Sequence, residues 1–144
     1  MNKVENITRQ KLYDLVFQEL GLSKISCSAF VDTLFDSIIV NLKKYYNRPR
    51  PKVLAKNFDV KLKDIELDSM KTPSYPSGHS TQGYLVAEML KTKYPEQAKQ
   101  LDQKAKDISD SRNIAKAHYK SDSVQGKKLG LEMASFIKNQ KQNG

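Results

Sequence analysis

From about Ser26 to Tyr46 the chain places Phe30, Leu34, Ile38 and Leu42 at four-residue steps, the longest apolar periodicity in its 144 residues. A run of that length exceeds any ordinary strand, and the spacing keeps its apolar side chains along one side of an α-helix. It is the best candidate for the central helix of a core. Helical spacing recurs elsewhere. Leu12, Leu15, Val16 and Leu20 give an amphipathic helix over Ile7 to Leu20, stopped by Gly21. Further helical blocks are expected from about His79 to Lys93, from Pro95 toward Ala117, and from about Ser121 to Asn139. The last carries Val124, Leu129, Leu131, Met133, Phe136 and Ile137, while Pro95 suits a first helical turn. No strand hairpin and no internal repeat is evident. The pattern predicts an all-α fold, a compact helical bundle in one domain over residues 1–144, with 138–144 as a frayed tail.

The helices are interrupted at informative places. N-R-P-R-P-K-V-L holds two prolines that break a helix and force an extended turn, with a short helix to follow near Pro51 to Asn57. Asp59 to Gly78 is polar, contains Pro73 and Pro76, and reads as a long loop, a feature that is often functional.

Twenty-five Lys and Arg against sixteen Asp and Glu leave a formal charge of +9, a balance that favours anionic partners such as phosphate esters, nucleotides, nucleic acid or an acidic membrane. A solvated lysine-rich surface accounts for most of it. The single cysteine, Cys27, excludes an intrachain disulfide and a cysteine metal cluster, and reads as a small core residue. The N-terminus lacks the apolar centre of a signal peptide, and no stretch approaches the ~20 apolar residues that span a bilayer. The expectation is a cytoplasmic protein without a transmembrane segment.

Three segments carry candidate chemistry, and together they hold both histidines of the chain. In S-R-N-I-A-K-A-H-Y-K-S-D, His118 precedes Asp122 by four residues, so one helical turn could pair them. A carboxylate on one imidazole nitrogen fixes the tautomer and leaves the other free as base or nucleophile. Arg112 lies six residues before His118 and would point elsewhere on a continuous helix, so convergence requires a break near His118. In Y-P-S-G-H-S, a Pro-Ser-Gly turn opens a helix with His79 at its start; free N–H groups and the helix dipole suit an anion. Alone, this segment reads as a plain N-cap with an incidental histidine. K-K-Y-Y-N-R-P-R-P gathers four cations that would repel one another unless solvated or set around an anion; alone it could equally be a nucleic-acid patch.

Lys43, six residues, Arg50-Pro51; then Pro76-Ser77-Gly78-His79; then Ser111-Arg112, five residues, His118, three residues, Asp122: in that order the segments resemble the three-part signature of the type 2 phosphatidic acid phosphatase (PAP2) superfamily. In character the chain is closest to the soluble bacterial class A non-specific acid phosphatases. The resemblance spans Lys43 to Asp122, with Gly126 and Gly130 also matching. The chain departs from the secreted acid phosphatases in being shorter, in lacking an export signal, and in having Ser80 where they usually have threonine.

The resemblance implies phosphoryl transfer through a phosphohistidine. His118 would attack phosphorus, Asp122 would orient it, and His79 would protonate the leaving oxygen and later take a proton from water. Lys43, Arg50 and Arg112 would hold the phosphoryl oxygens, with the Ser77 hydroxyl and the Gly78 N–H completing the cradle. Positioning and charge neutralisation supply most of such a reaction, so no metal and no cofactor is expected. The partners implied are a small phosphorylated substrate and a second copy of the chain, not nucleic acid. Arg48 is a candidate for supporting the site from behind, but reads more readily as a surface arginine. The alternatives are a vanadate-dependent haloperoxidase, which uses the same cradle in generally much larger proteins, and a basic nucleic-acid-binding helical protein, which leaves both histidine motifs unexplained.

Overall fold

Helix follows helix in a computed structural model of the chain, and among the described residues there is no strand. Those residues are 10, 13–14, 17–18, 23–62 and 67–142, without the side chains at 24, 26, 27, 36, 141 and 142. The helix expected over 7–20 and the core role of Cys27 fall largely outside them, although Gln10, Tyr13, Asp14, Phe17 and Gln18 are helical.

The long periodic run is three consecutive stretches: α1 (Lys24–Phe35), a π-helical turn (Asp36–Val40) and α2 (Asn41–Tyr46). Asn47 ends it in the left-handed conformation (φ 42°, ψ 40°), donating its N–H to Lys43 O at 2.9 Å. Asparagine is among the few residues that tolerate this geometry. Helix α3 (Pro51–Asn57) then starts on a proline, whose missing N–H costs nothing in a first turn. A short 3₁₀ turn (Asp68–Lys71) leads to α4 (Gly78–Lys93), and a second (Pro95–Gln97) to α5 (Ala98–Ile114) and α6 (Lys120–Gln142).

The centre of the fold is α4, not the long N-terminal run expected there. It packs against both α5 and α6 and buries Ser80, Thr81, Gly83, Tyr84, Leu85, Val86, Ala87 and Met89. The N-terminal run supplies one wall of the core, and its buried stripe is Val31, Phe35 and Ile39; Phe30, Leu34 and Ile38 are only partly buried beside it. A four-residue step drifts around a helix of 3.6 residues per turn, so two adjacent apolar stripes cannot be ranked by spacing alone. Met133, Ala134 and Ile137 of α6 close the core, whereas Val124 and Phe136 stay largely exposed.

Two glycines set how closely α6 approaches α4. A Cβ on Gly126 would lie 2.5 Å from Ser77 O and 2.8 Å from Ser80 Cβ, and one on Gly130 would collide with Thr81 O. Four residues apart, they give α6 a side-chain-free face. That contact lets Ser77 N–H reach Asp122 O at 3.0 Å, so the same packing joins the turn before α4 to the start of α6.

Candidate active site

The chain from Arg112 to Asp122 does break, as convergence of its polar residues requires. Helix α5 stops at Ile114, Lys116 takes a left-handed conformation (φ 56°), and α6 begins at Lys120. Ala117 and His118 fold back, and both their N–H groups bond to Arg112 O, at 3.0 and 3.3 Å. His118 and Asp122 are thereby buried together, with His118 Nδ1 3.4 Å from Asp122 Oδ2. Asp122 Oδ2 also accepts from Tyr119 N–H at 3.0 Å.

Facing His118 is a cavity of about 230 Å³ lined by Lys43, Arg50, Gly78 and His79 from the other two segments. Arg112 stands just behind, its Nη2 donating to Oγ of the lining residue Ser69 at 2.6 Å. Ser77 lies fully buried below, its Oγ capping α4 by accepting from Ser80 N–H at 3.3 Å. Asp122 is behind His118. Ser80 turns away from the cavity, its hydroxyl 2.7 Å from that of Ser109 on α5, so the serine-for-threonine departure lies in the α4–α5 packing.

The long loop acts as a frame for the cations. Arg50 donates from Nε to Thr72 O (2.7 Å), from Nη2 to Ser69 O (2.6 Å) and from Nη1 to Ala117 O (2.8 Å). Lys43 Nζ donates to Pro73 O at 2.6 Å. Carbonyls hold these groups in place without cancelling their charge. Among the described residues no carboxylate pairs with Lys43, Arg50 or Arg112. Burial and then Arg50 lower Lys43 to about 8, and burial and then Arg112 lower Arg50 to about 10, with Asp122 opposing both shifts only in part. Burial lowers Arg112 as well. All three remain protonated at neutral pH and converge where an anion would relieve them.

The histidines respond in the same direction. Burial, then Arg112, His118, Arg50 and Lys43 push His79 down to about 4. Burial lowers His118 too; the contact with Asp122 opposes this only in part, and Arg50 and Lys43 add to it. His118 is therefore neutral at pH 7. With Nδ1 facing Asp122, its free lone pair is on Nε2, where Arg50 Nη1 lies at 3.1 Å. Burial alone would raise Asp122, but His118, Tyr119 N–H and Arg48 together hold its carboxyl below the usual range.

Lowered imidazole pKa values fix the sign of one stability effect. The unfolded chain takes up protons on its histidines below their ordinary 6.5, while the folded chain resists until lower pH. Stability should thus fall as pH drops from about 6.5 toward about 4, the interval bounded by His79. Urea midpoints at pH 7 and 4.5 should show this loss, and His79→Gln should lose less than wild type. Equal losses would remove His79 from the account.

Arg48 is a correction. It is not a plain surface arginine: Nη1 donates to Asp122 Oδ1 at 2.8 Å and to Ser121 Oγ at 2.7 Å, and the guanidinium lies 4.1 Å from the Tyr119 ring centre. The alternation R-P-R-P was the available signal. Pro49 and the left-handed Asn47 direct Arg48 and Arg50 to opposite sides of the His118–Asp122 pair. Ser69 and Thr72, the arginine supports, carried no signal beyond lying in a long loop. Among the described residues no three His, Cys, Asp or Glu side chains are placed to share a metal ion, and no helix is long and apolar enough to cross a membrane.

No protein-family model and no solved structure matches the chain. Curated sequences do. A non-specific acid phosphatase of Salmonella typhimurium (strain LT2) is 40% identical over 88 residues, and one of Salmonella typhi is 39% identical over the same length. Over that stretch the chain is homologous to the non-specific acid phosphatases. The match takes in 61% of this chain but only 35% of each of these acid phosphatases, so roughly two thirds of each lies beyond it. It agrees with the family to which the spacing of the three polar segments points.

Proposed function

We propose that the chain hydrolyses small phosphate monoesters through a phosphohistidine and without a metal ion. The observation that carries this reading is the cavity itself: a neutral buried histidine and a second histidine face a set of cations held by carbonyls rather than carboxylates. Such a site attracts an anion and offers it a nucleophile. Homology to non-specific acid phosphatases supports the same reaction class.

In the proposed cycle, a phosphate monoester binds with its oxygens toward Lys43, Arg50, Arg112 and the N–H groups at the start of α4. Arg50 Nη1 turns from His118 Nε2 to a phosphoryl oxygen, which releases the lone pair. Nε2 then forms a bond to phosphorus as the ester P–O bond breaks, and protonated His79 gives its proton to the departing oxygen. Asp122 stabilises the positive charge left on the His118 ring. Water next attacks phosphorus, the P–N bond breaks, and His79 takes the water's proton, leaving inorganic phosphate. The negative charge of the substrate supplies what the protein's own cations oppose. It raises His79 from about 4 toward the range where it can act as an acid.

The test is phosphate release in EDTA from a panel of nucleotides, sugar phosphates and an aryl phosphate, with vanadate as a competitor. Release that persists in EDTA and is inhibited by vanadate is the expected result. Activity restored only by added divalent metal, or peroxidation switched on by vanadate, would overturn it.

A further inference from the structure

The cavity has a second face that the phosphate chemistry leaves unused. Beside the cations it is lined by Phe35, Ile39 and Val40, side chains from the end of α1 and the π-helical turn that follows. Such turns widen a helix by one residue and frequently occur at functional sites. Here the turn carries Ile39 and Val40 to the cavity while Ile39 and Phe35 also stay in the main core. The wall is rigid for that reason, with Phe35 and Ile39 each only 4% exposed. Val40, at 36% exposed, forms its outer edge.

Position ties this wall to one part of the substrate. A Cβ on Gly78 would meet Ile39 Cγ2 at 3.7 Å, so Ile39 stands directly over the turn that precedes His79. In the proposed cycle His79 protonates the leaving oxygen, so the group attached to that oxygen emerges on the His79 side. The atoms it meets there are the apolar ones of Ile39, Val40 and Phe35. The remaining lining residues, Ser69 and Thr72, serve the arginines: their carbonyls accept from Arg50, Ser69 Oγ accepts from Arg112 Nη2 at 2.6 Å, and Thr72 Oγ1 accepts from Arg50 Nη2 at 3.4 Å. A hydroxylated leaving group placed against these three apolar side chains would lose water and gain no partner from them. At about 230 Å³, the cavity is also below the usual range for enclosing a drug-sized ligand.

We infer that Phe35, Ile39 and Val40 form a leaving-group subsite that selects phosphate esters of small apolar alcohols and phenols over those of polyols. The inference rests on the phosphatase reading for its orientation, yet binding alone can test it. Phenylphosphonate and 2-hydroxyethylphosphonate present the two kinds of group on a P–C bond that the enzyme cannot hydrolyse. Calorimetry on the full chain should give phenylphosphonate roughly tenfold or more tighter binding, since each methylene-sized apolar contact contributes about a fourfold factor.

Val40→Thr keeps the β-branched shape at the partly exposed edge and adds a hydroxyl. It should cut the preference at least threefold and leave the affinity for inorganic phosphate unchanged. Equal binding of the two phosphonates, or a preference untouched by Val40→Thr, would overturn the subsite, as would binding of neither. Failure of the phosphatase reading looks different: the phosphonate preference would stand while phenyl phosphate released no phosphate.

Discussion

Alanine in place of His118 is expected to abolish turnover, lowering kcat by on the order of 10⁵. The size of the loss follows from what else the cavity contains. Lys43, Arg50 and Arg112 are protonated and cannot attack phosphorus, and the Ser77 hydroxyl is buried as the cap of α4. His79 has a neutral ring at pH 7, but in the proposed cycle it serves on the leaving-group side. No second nucleophile is therefore available to take over. Binding should behave oppositely, because Arg50 Nη1 no longer has His118 Nε2 at 3.1 Å and is free for a phosphate oxygen. Inorganic phosphate should then bind as tightly as to wild type or a few-fold more tightly. A truncated buried ring destabilises by about 1–3 kcal/mol, so thermal unfolding of the variant belongs beside the kinetics. A folded His118→Ala protein that retained kcat within tenfold of wild type would rule out His118 as nucleophile.

What could be read in the sequence, and what could not, divides along physical lines. The helical class was legible because helical spacing recurs over 7–20, 26–46 and 121–139, and the start of α4 was legible because a Pro-Ser-Gly turn suits a helix N-terminus. The break before His118 followed from geometry, since Arg112 and His118 cannot meet on one straight helix. Rank within the core was not legible. Phe30, Leu34 and Ile38 repeat at the same four-residue step as Val31, Phe35 and Ile39, yet only the second set is fully buried, because burial is decided by what α4 and α6 present in return.

Long-range polar partners were equally hidden. Arg48 and Asp122 are 74 positions apart, and nothing periodic links them. The same holds for Ser69 and Thr72, whose backbone carbonyls hold Arg50 whatever their side chains are. A motif names the side chains that face the substrate; it omits the backbone that aims them. Gly126 and Gly130 are the exception, since a helix gives up side chains only where another backbone comes close.

Asn in place of Asp122 is the sharper experiment, because it changes almost no volume and should still cost about 10⁴ in kcat, the scale seen when an aspartate orienting a catalytic histidine becomes an amide. Asp122 accepts on both oxygens: Arg48 Nη1 on Oδ1 at 2.8 Å, and Tyr119 N–H on Oδ2 at 3.0 Å, with His118 Nδ1 3.4 Å from Oδ2. An asparagine has one oxygen for these three donors. If that oxygen turns to Arg48, the amide NH₂ faces His118 Nδ1 and donates to it, which moves the ring proton to Nε2 and removes the nucleophilic lone pair. If it turns to His118, the NH₂ faces the Arg48 guanidinium, donor against donor. Either orientation also removes the negative charge that would balance the phosphorylated ring. The His118 pKa should fall further below its ordinary value, because Asp122 is what raises it against burial, Arg50 and Lys43. Lower basicity means weaker attack even in the correct tautomer. NMR of the ring nitrogens would separate the two effects: a proton on Nε2 identifies the tautomer switch, and a proton still on Nδ1 assigns the loss to charge. An Asp122→Asn enzyme with near wild-type kcat would show that His118 needs no carboxylate, and Arg48 would then have no catalytic reason to sit where it does.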